Sequence, residues 1–127
     1  MRLVDVAAFS SWLERYFAAW ASNDPEAVAS LFAEDAEYSF GPFRPSAHGR
    51  DEIVRRWVDG GAPPAVRTSY DIVAVTGDRG VAHWRVTFDA GDGATVELDG
   101  ILVCTFDAEG RCTLHREWFD RREAAPT

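Results

Sequence analysis

The sequence predicts an α+β domain: three helices in the N-terminal part, packed on a strongly curved mixed or antiparallel sheet that closes into a cone around a pocket. Three observations carry this. Apolar residues recur at helical spacing up to about residue 58. From Val66 onward the pattern changes to long strand-forming runs broken by glycine–aspartate turns. The connections between those runs are short, so consecutive strands should be antiparallel neighbours. Helices segregated from such a sheet define the class. Three helices cover only one face, and long strands that curl beneath them leave an interior.

The first helix is the clearest element. Phe9, Trp12, Leu13, Tyr16, Phe17 and Trp20 fall on one face. A second begins at Asn23-Asp24-Pro25-Glu26: Asp24 can accept bonds from free amides, and Pro25 fits the first helical position. Its stripe of Val28, Leu31 and Phe32 is expected to end near Ala33-Glu34-Asp35, with a strand over 36–40. Gly41-Pro42-Phe43-Arg44-Pro45 breaks that strand. A third helix follows Ala47-His48-Gly49, with Ile53, Val54, Trp57 and Val58 apolar, and stops at Gly60-Gly61-Ala62-Pro63-Pro64. Strands are expected at about 66–76, 80–89, 94–106 and 111–121. One domain over 1–122 and a flexible tail over 123–127 complete the reading.

Composition bounds the function. The 127 residues suffice for one domain with its own core. Acids outnumber bases 21 to 13, for a net charge of −8, which argues against a nucleic-acid partner. All the bases are arginine, so Schiff-base and P-loop lysine chemistry are excluded. Cys104 and Cys112 do not make a disulfide framework and read as buried free thiols. No apolar run is long enough to span a bilayer, and residues 1–5 show no leader pattern, so no membrane partner and a cytoplasmic location are expected. Aromatic residues make up 13%, enough to fill a core and line a pocket as well.

Several segments together resemble the nuclear-transport-factor-2-like superfamily, and within it the SnoaL-like group. They are Leu31-Phe32-Ala33-Glu34-Asp35-Ala36-Glu37-Tyr38, His48-Gly49-Arg50-Asp51-Glu52-Ile53, Phe106-Asp107-Ala108-Glu109-Gly110-Arg111 and His115-Arg116-Glu117-Trp118-Phe119-Asp120. The resemblance implies the cone fold over essentially the whole chain. It leaves function open, because this fold hosts isomerases, dehydratases, cyclases, epoxide hydrolases and binding proteins. Against the ketosteroid-isomerase pattern, Tyr16 matches the helix tyrosine, but Phe40 stands at the base position and Leu102 at the second aspartate. Against the limonene-epoxide-hydrolase pattern, Glu117 and Tyr38 match, Phe40 replaces the asparagine, and His83-Trp84-Arg85-Val86 offers an arginine without a carboxylate. The SnoaL-type cyclase pattern again puts its acid at Glu117.

Glu117 is therefore the leading candidate for proton transfer, with Tyr16 and His115 beside it as possible donor and acid–base group. A carboxyl in an apolar cavity titrates near neutrality and can take a proton from a carbon next to a carbonyl. Plain alternation sets Cys112 and Leu114 on the opposite face from Glu117 and Phe119, so both pairs can be inside only if a bulge near 115–116 shifts the register. Trp20, Tyr38, Phe40, Trp57, His83, Trp84, Leu102 and Phe119 are the expected ligand-binding residues. No metal spacing and no cofactor motif occur. Two readings stand: a cofactor-independent isomerase, cyclase or dehydratase acting on an apolar carbonyl-bearing metabolite, or a non-catalytic ligand-binding or dimerisation domain. A homodimer is expected because one sheet face is left uncovered.

Overall fold

A computed structural model of the chain describes residues 4–124. Helix α1 spans Val6–Ser22 and α2 Pro25–Ala29. Strand β1 (Phe32–Ser39) and the two-residue β2 (Ala47–His48) precede helix α3, Arg50–Gly60. Four long strands follow: β3 (Arg67–Thr76), β4 (Arg79–Asp89), β5 (Thr95–Phe106) and β6 (Cys112–Ala124). They form one curved, open, mixed sheet in the order β2-β1-β6-β5-β4-β3, with β1 and β6 parallel and every other pair antiparallel. Among the described residues no helix is long and apolar enough to cross a membrane.

Helix α1 starts on an Asp5 cap, whose carboxylate accepts from the Ala8 amide at 2.7 Å. It ends at Asn23, which takes the left-handed conformation at φ 55°. The Asn23 side chain donates to the Val58 carbonyl at 3.2 Å and so ties the end of α1 to α3. Phe9, Trp12, Leu13, Tyr16 and Phe17 are buried, the stripe the spacing predicts. The Trp12 indole N–H donates to the Leu31 carbonyl at 3.1 Å, which also accepts from the Cys112 amide at 2.9 Å. These two bonds fix the chain as it enters β1. The second helix is accordingly shorter than expected, and β1 begins at Phe32 rather than at residue 36.

The edges of the sheet differ from expectation at two more places. β2 was not anticipated; it pairs His48 with Glu37 and Ala47 with Tyr38. β6 runs to Ala124, where it pairs with Thr95, two residues into the expected tail. Residues 125–127 of that tail lie outside the described residues.

The register of β6 decides what faces the interior. Phe106 pairs with Cys112, but Thr105 pairs with Leu114. Thr113 is the extra residue, so the bulge lies there and not at 115–116. Cys112, His115 and Glu117 all come inside, Phe119 follows half-buried, and Leu114 becomes half-buried on the outer side. Cys104 then faces His115 rather than Leu114.

Candidate active site

A cavity of about 540 Å³ lies between the helices and the inner face of the sheet. Its walls are apolar: Phe17 and Trp20 of α1, Phe40, Trp57 of α3, Trp84 and Phe88 of β4, Leu98 of β5 and Phe119 of β6. The end of α3 and the turn after it, residues 60–63, also line it. Three buried polar side chains sit within this surface, Tyr16, Tyr38 and Glu117. Each is at most 8% exposed.

Each polar group is delivered by a different element. The helical repeat of α1 turns Tyr16 inward between Trp12 and Phe17, stacked on Trp12 at 5.1 Å and edge-on to Phe17 at 5.0 Å. Tyr38 comes from β1 and lies on the His115 ring at 4.1 Å. Glu117 comes from β6 after the Thr113 bulge. The Tyr16 and Tyr38 hydroxyls are 2.7 Å apart, and the Tyr38 hydroxyl lies near enough to the Glu117 carboxyl to stabilise its charged form.

Burial pushes the Glu117 carboxyl up from 4.5 to about 7; the Tyr38 hydrogen bond and the Arg44 charge only partly oppose this. Burial, and then the Glu117 charge, hold both tyrosines well above their ordinary value, so they remain proton donors. Burial alone lowers His115 from 6.5 to about 3, so its ring is neutral at neutral pH.

Behind the tyrosines the polar chain continues. His115 Nε2 is 3.4 Å from the Tyr16 hydroxyl, and its Nδ1 is 3.3 Å from the Cys104 thiol. The donors can be ordered. With Glu117 ionised, Tyr38 donates to it, Tyr16 donates to Tyr38, His115 donates from Nε2, and Cys104 donates to Nδ1. With Glu117 protonated, the tyrosine bonds can run the other way. The carboxyl state and the direction of the tyrosine donors are thus linked.

Ionising Glu117 in the folded protein has a consequence for stability. Its folded pKa lies above the unfolded value, so between pH 4.5 and about 7 the native state holds the extra proton. Stability from this group is complete below pH 4.5 and is lost as pH rises through 7, about 3 kcal/mol in all. His115 has the opposite sign: its contribution is complete above pH 6.5 and is lost as pH falls toward 3. Glu117→Gln removes the first slope and leaves the second. Urea titrations at pH 5 and pH 8 should find that the variant gains on the wild type by about 3 kcal/mol between the two pH values. A parallel pH dependence of the two proteins would show that the carboxyl has an ordinary pKa.

The SnoaL-like domain matches residues 13–115. The chain belongs to the SnoaL-like family. A steroid Δ-isomerase from Nocardioides simplex is 36% identical over 107 residues, covering 83% of this chain and 84% of that protein. An LEH-like epoxide hydrolase from M. tuberculosis has a similar fold, with a TM-score of 0.68 at 19% identity, over 87% of this chain and 80% of that one. In the ketosteroid-isomerase resemblance read from the sequence, Tyr16 stands at the tyrosine position, and Phe40 and Leu102 stand where acids are expected. Leu102 pairs across the sheet with Glu117, whose carboxyl faces the cavity from the neighbouring strand.

Of the sequence-predicted site residues, Glu117, Tyr16, Tyr38, Trp20, Phe40, Trp57, Trp84 and Phe119 line the cavity together. Three do not. His115 is fully buried behind the tyrosines, where it touches them and Cys104 but not the open space. Leu102 is fully buried in the core. His83 faces outward, because alternation on β4 turns Ala82, Trp84 and Val86 in and leaves His83 and Arg85 out, both bound to Asp99 at 2.6 and 3.1 Å. Those bonds, the His83 one foremost, hold the Asp99 carboxyl below its ordinary value. The arginine of the epoxide-hydrolase pattern therefore lies on the outer face.

Sequence reasoning missed Phe88 and Leu98, and the arginines Arg44, Arg56 and Arg121. Alternation from Trp84 through Val86 marks Phe88, and alternation from Glu117 through Phe119 marks Arg121. Nothing local marks Arg44, which projects from a loop. Cys104, Cys112 and His115 place their ligand atoms within 4.8 Å of one another. Burial raises the Cys104 thiol well above its ordinary value, so this group packs as a protonated thiol unless something displaces its proton.

Proposed function

We propose that this SnoaL-like domain is a cofactor-independent, cytoplasmic enzyme that moves a proton on an apolar carbonyl-bearing metabolite, in the manner of an isomerase, cyclase or dehydratase. The observation that carries this is the Glu117 carboxyl, poised near pH 7 in an aromatic cavity beside two tyrosine hydroxyls. Glu117 takes the proton next to the carbonyl. Negative charge develops on the carbonyl oxygen, and Tyr16 or Tyr38 donates to it. The two events are coupled. While ionised, Glu117 holds the Tyr38 proton; once Glu117 is protonated, that donor is released as the oxyanion forms. Return of the proton to another carbon would shift a double bond. The steroid Δ-isomerase relative supports a rigid, ring-containing ketone as the first substrate class to try.

The test is hydrogen exchange. The protein is incubated in D₂O with an apolar β,γ-unsaturated ketone, and deuterium next to the carbonyl is followed by mass spectrometry. Incorporation above the buffer rate is expected. Binding without exchange for a panel of such ketones would favour the second reading, a binding domain of the same fold. Phe40 and Leu102, at positions where the isomerase pattern has acids, are the observation on that side.

The domain is proposed to pair with a second copy through the outer sheet face, where Val73, Ile101 and Trp118 are exposed. Equilibrium sedimentation at micromolar concentration should give a dimer mass; a monomer mass would overturn this.

A further inference from the structure

The lining of the cavity has the opposite charge balance from the chain as a whole. Acids exceed bases 21 to 13 overall. Around the cavity the order is reversed: among the described residues Arg44, Arg56 and Arg121 line it, against one carboxyl, Glu117. The three arginines come from separate elements, the loop after β1, α3 and β6.

Two of them are held by rings rather than by acids. The Arg44 guanidinium lies over Phe119 at 5.4 Å from the ring centre, and that of Arg56 over Phe40 at 4.1 Å. Both rings are cavity wall. Arg56 donates to the Pro45 carbonyl at 2.8 Å. Among the described residues neither arginine forms a salt bridge, although the Arg44 charge reaches Glu117 in the cavity. Arg121 reaches Glu123 at 3.4 Å through an exposed pair, which a ligand can displace at little cost.

We propose that the ligand of this cavity is an amphipathic anion: an apolar body among the aromatic walls, and a carboxylate, sulfonate or phosphate group that Arg44, Arg56 and Arg121 receive. This rests on the reading of the cavity as a small-molecule site. Guanidinium groups suit such oxyanions because their N–H donors are planar and paired. An overall charge of −8 repels anions from the surface, so a local cluster of arginines selects where one can settle.

Two dyes test this. N-phenyl-1-naphthylamine and 8-anilinonaphthalene-1-sulfonate share one ring system and differ in the sulfonate. The rise in dye fluorescence on leaving water reports binding to an apolar site. At low salt the sulfonate dye should bind about tenfold tighter than the neutral one, and less so as salt is raised. The triple variant Arg44→Gln, Arg56→Gln, Arg121→Gln should lose that preference and keep its affinity for the neutral dye. Arg44→Gln alone, on an exposed loop, should lose part of it. Arg85→Gln, on the outer face, should change nothing. Equal affinity for both dyes in the wild type, or a preference that survives the triple variant, overturns the proposal and leaves the cavity reading intact. Failure of both dyes to bind overturns the cavity reading, and the proposal with it.

Discussion

Glu117→Gln should slow deuterium exchange into a bound ketone by about 10²- to 10⁴-fold, the usual range for loss of a general base. The substitution keeps the shape of the side chain and can still hydrogen-bond Tyr38. It removes only the group that accepts the proton. Binding of a neutral apolar dye should therefore be unchanged. The variant should also be more stable than the wild type above pH 7, because no charge is buried at the cavity floor. Loss of exchange with a gain in stability is the signature of a functional carboxyl held at a cost. Exchange within about twofold of the wild type would remove Glu117 from the chemistry.

Gly100→Ala should be the most damaging small substitution near the site. Gly100 lies on β5 between Trp84 of β4 and Phe119 of β6. With no side chain there, the two rings close over the strand, with centres 5.7 Å apart, and form one cavity wall. A Cβ at this position would lie 2.2 Å from the Trp118 carbonyl oxygen, 2.6 Å from the Phe119 Cβ and 2.9 Å from the Phe119 Cα. Two of these atoms are backbone, so no side-chain rotation relieves the clash. Relief requires β6 to move away from β5, which carries Glu117 with it. A loss of about 3 kcal/mol is expected, at the upper end for overpacking, or about 10 °C in melting temperature. Gly60→Ala is the control: its Cβ would meet nothing within 4 Å, and the position is helical. A melting temperature for Gly100→Ala equal to that of Gly60→Ala would contradict the packing described for this wall.

Much of the fold was legible because its signals are local. The α1 stripe, the Asp24-Pro25 helix start and the glycine–aspartate turns each depend on residues adjacent in the chain. The apolar spacing extends the second helix too far because Leu31 and Phe32 continue it. What ends it is distant: the Trp12 indole and the Cys112 amide both claim the Leu31 carbonyl. The need for a bulge in β6 followed from the conflict between Cys112 and Glu117, but its position did not. Thr113 carries no glycine or proline to mark it, and only the pairing with β5 fixes it there. His83 and Trp84 are adjacent on β4 and so lie on opposite faces of the sheet. The arginine cluster was invisible because Arg44, Arg56 and Arg121 are far apart in sequence and meet only when the cavity forms.

The central claim is that one carboxyl inside the cavity exchanges its proton near neutral pH. Carbon-13 NMR of protein labelled at the glutamate carboxyl carbon, with Glu117→Gln to assign the signal, tests it most directly. The account predicts a Glu117 midpoint near pH 7. A midpoint near the ordinary value of 4.5 would contradict it.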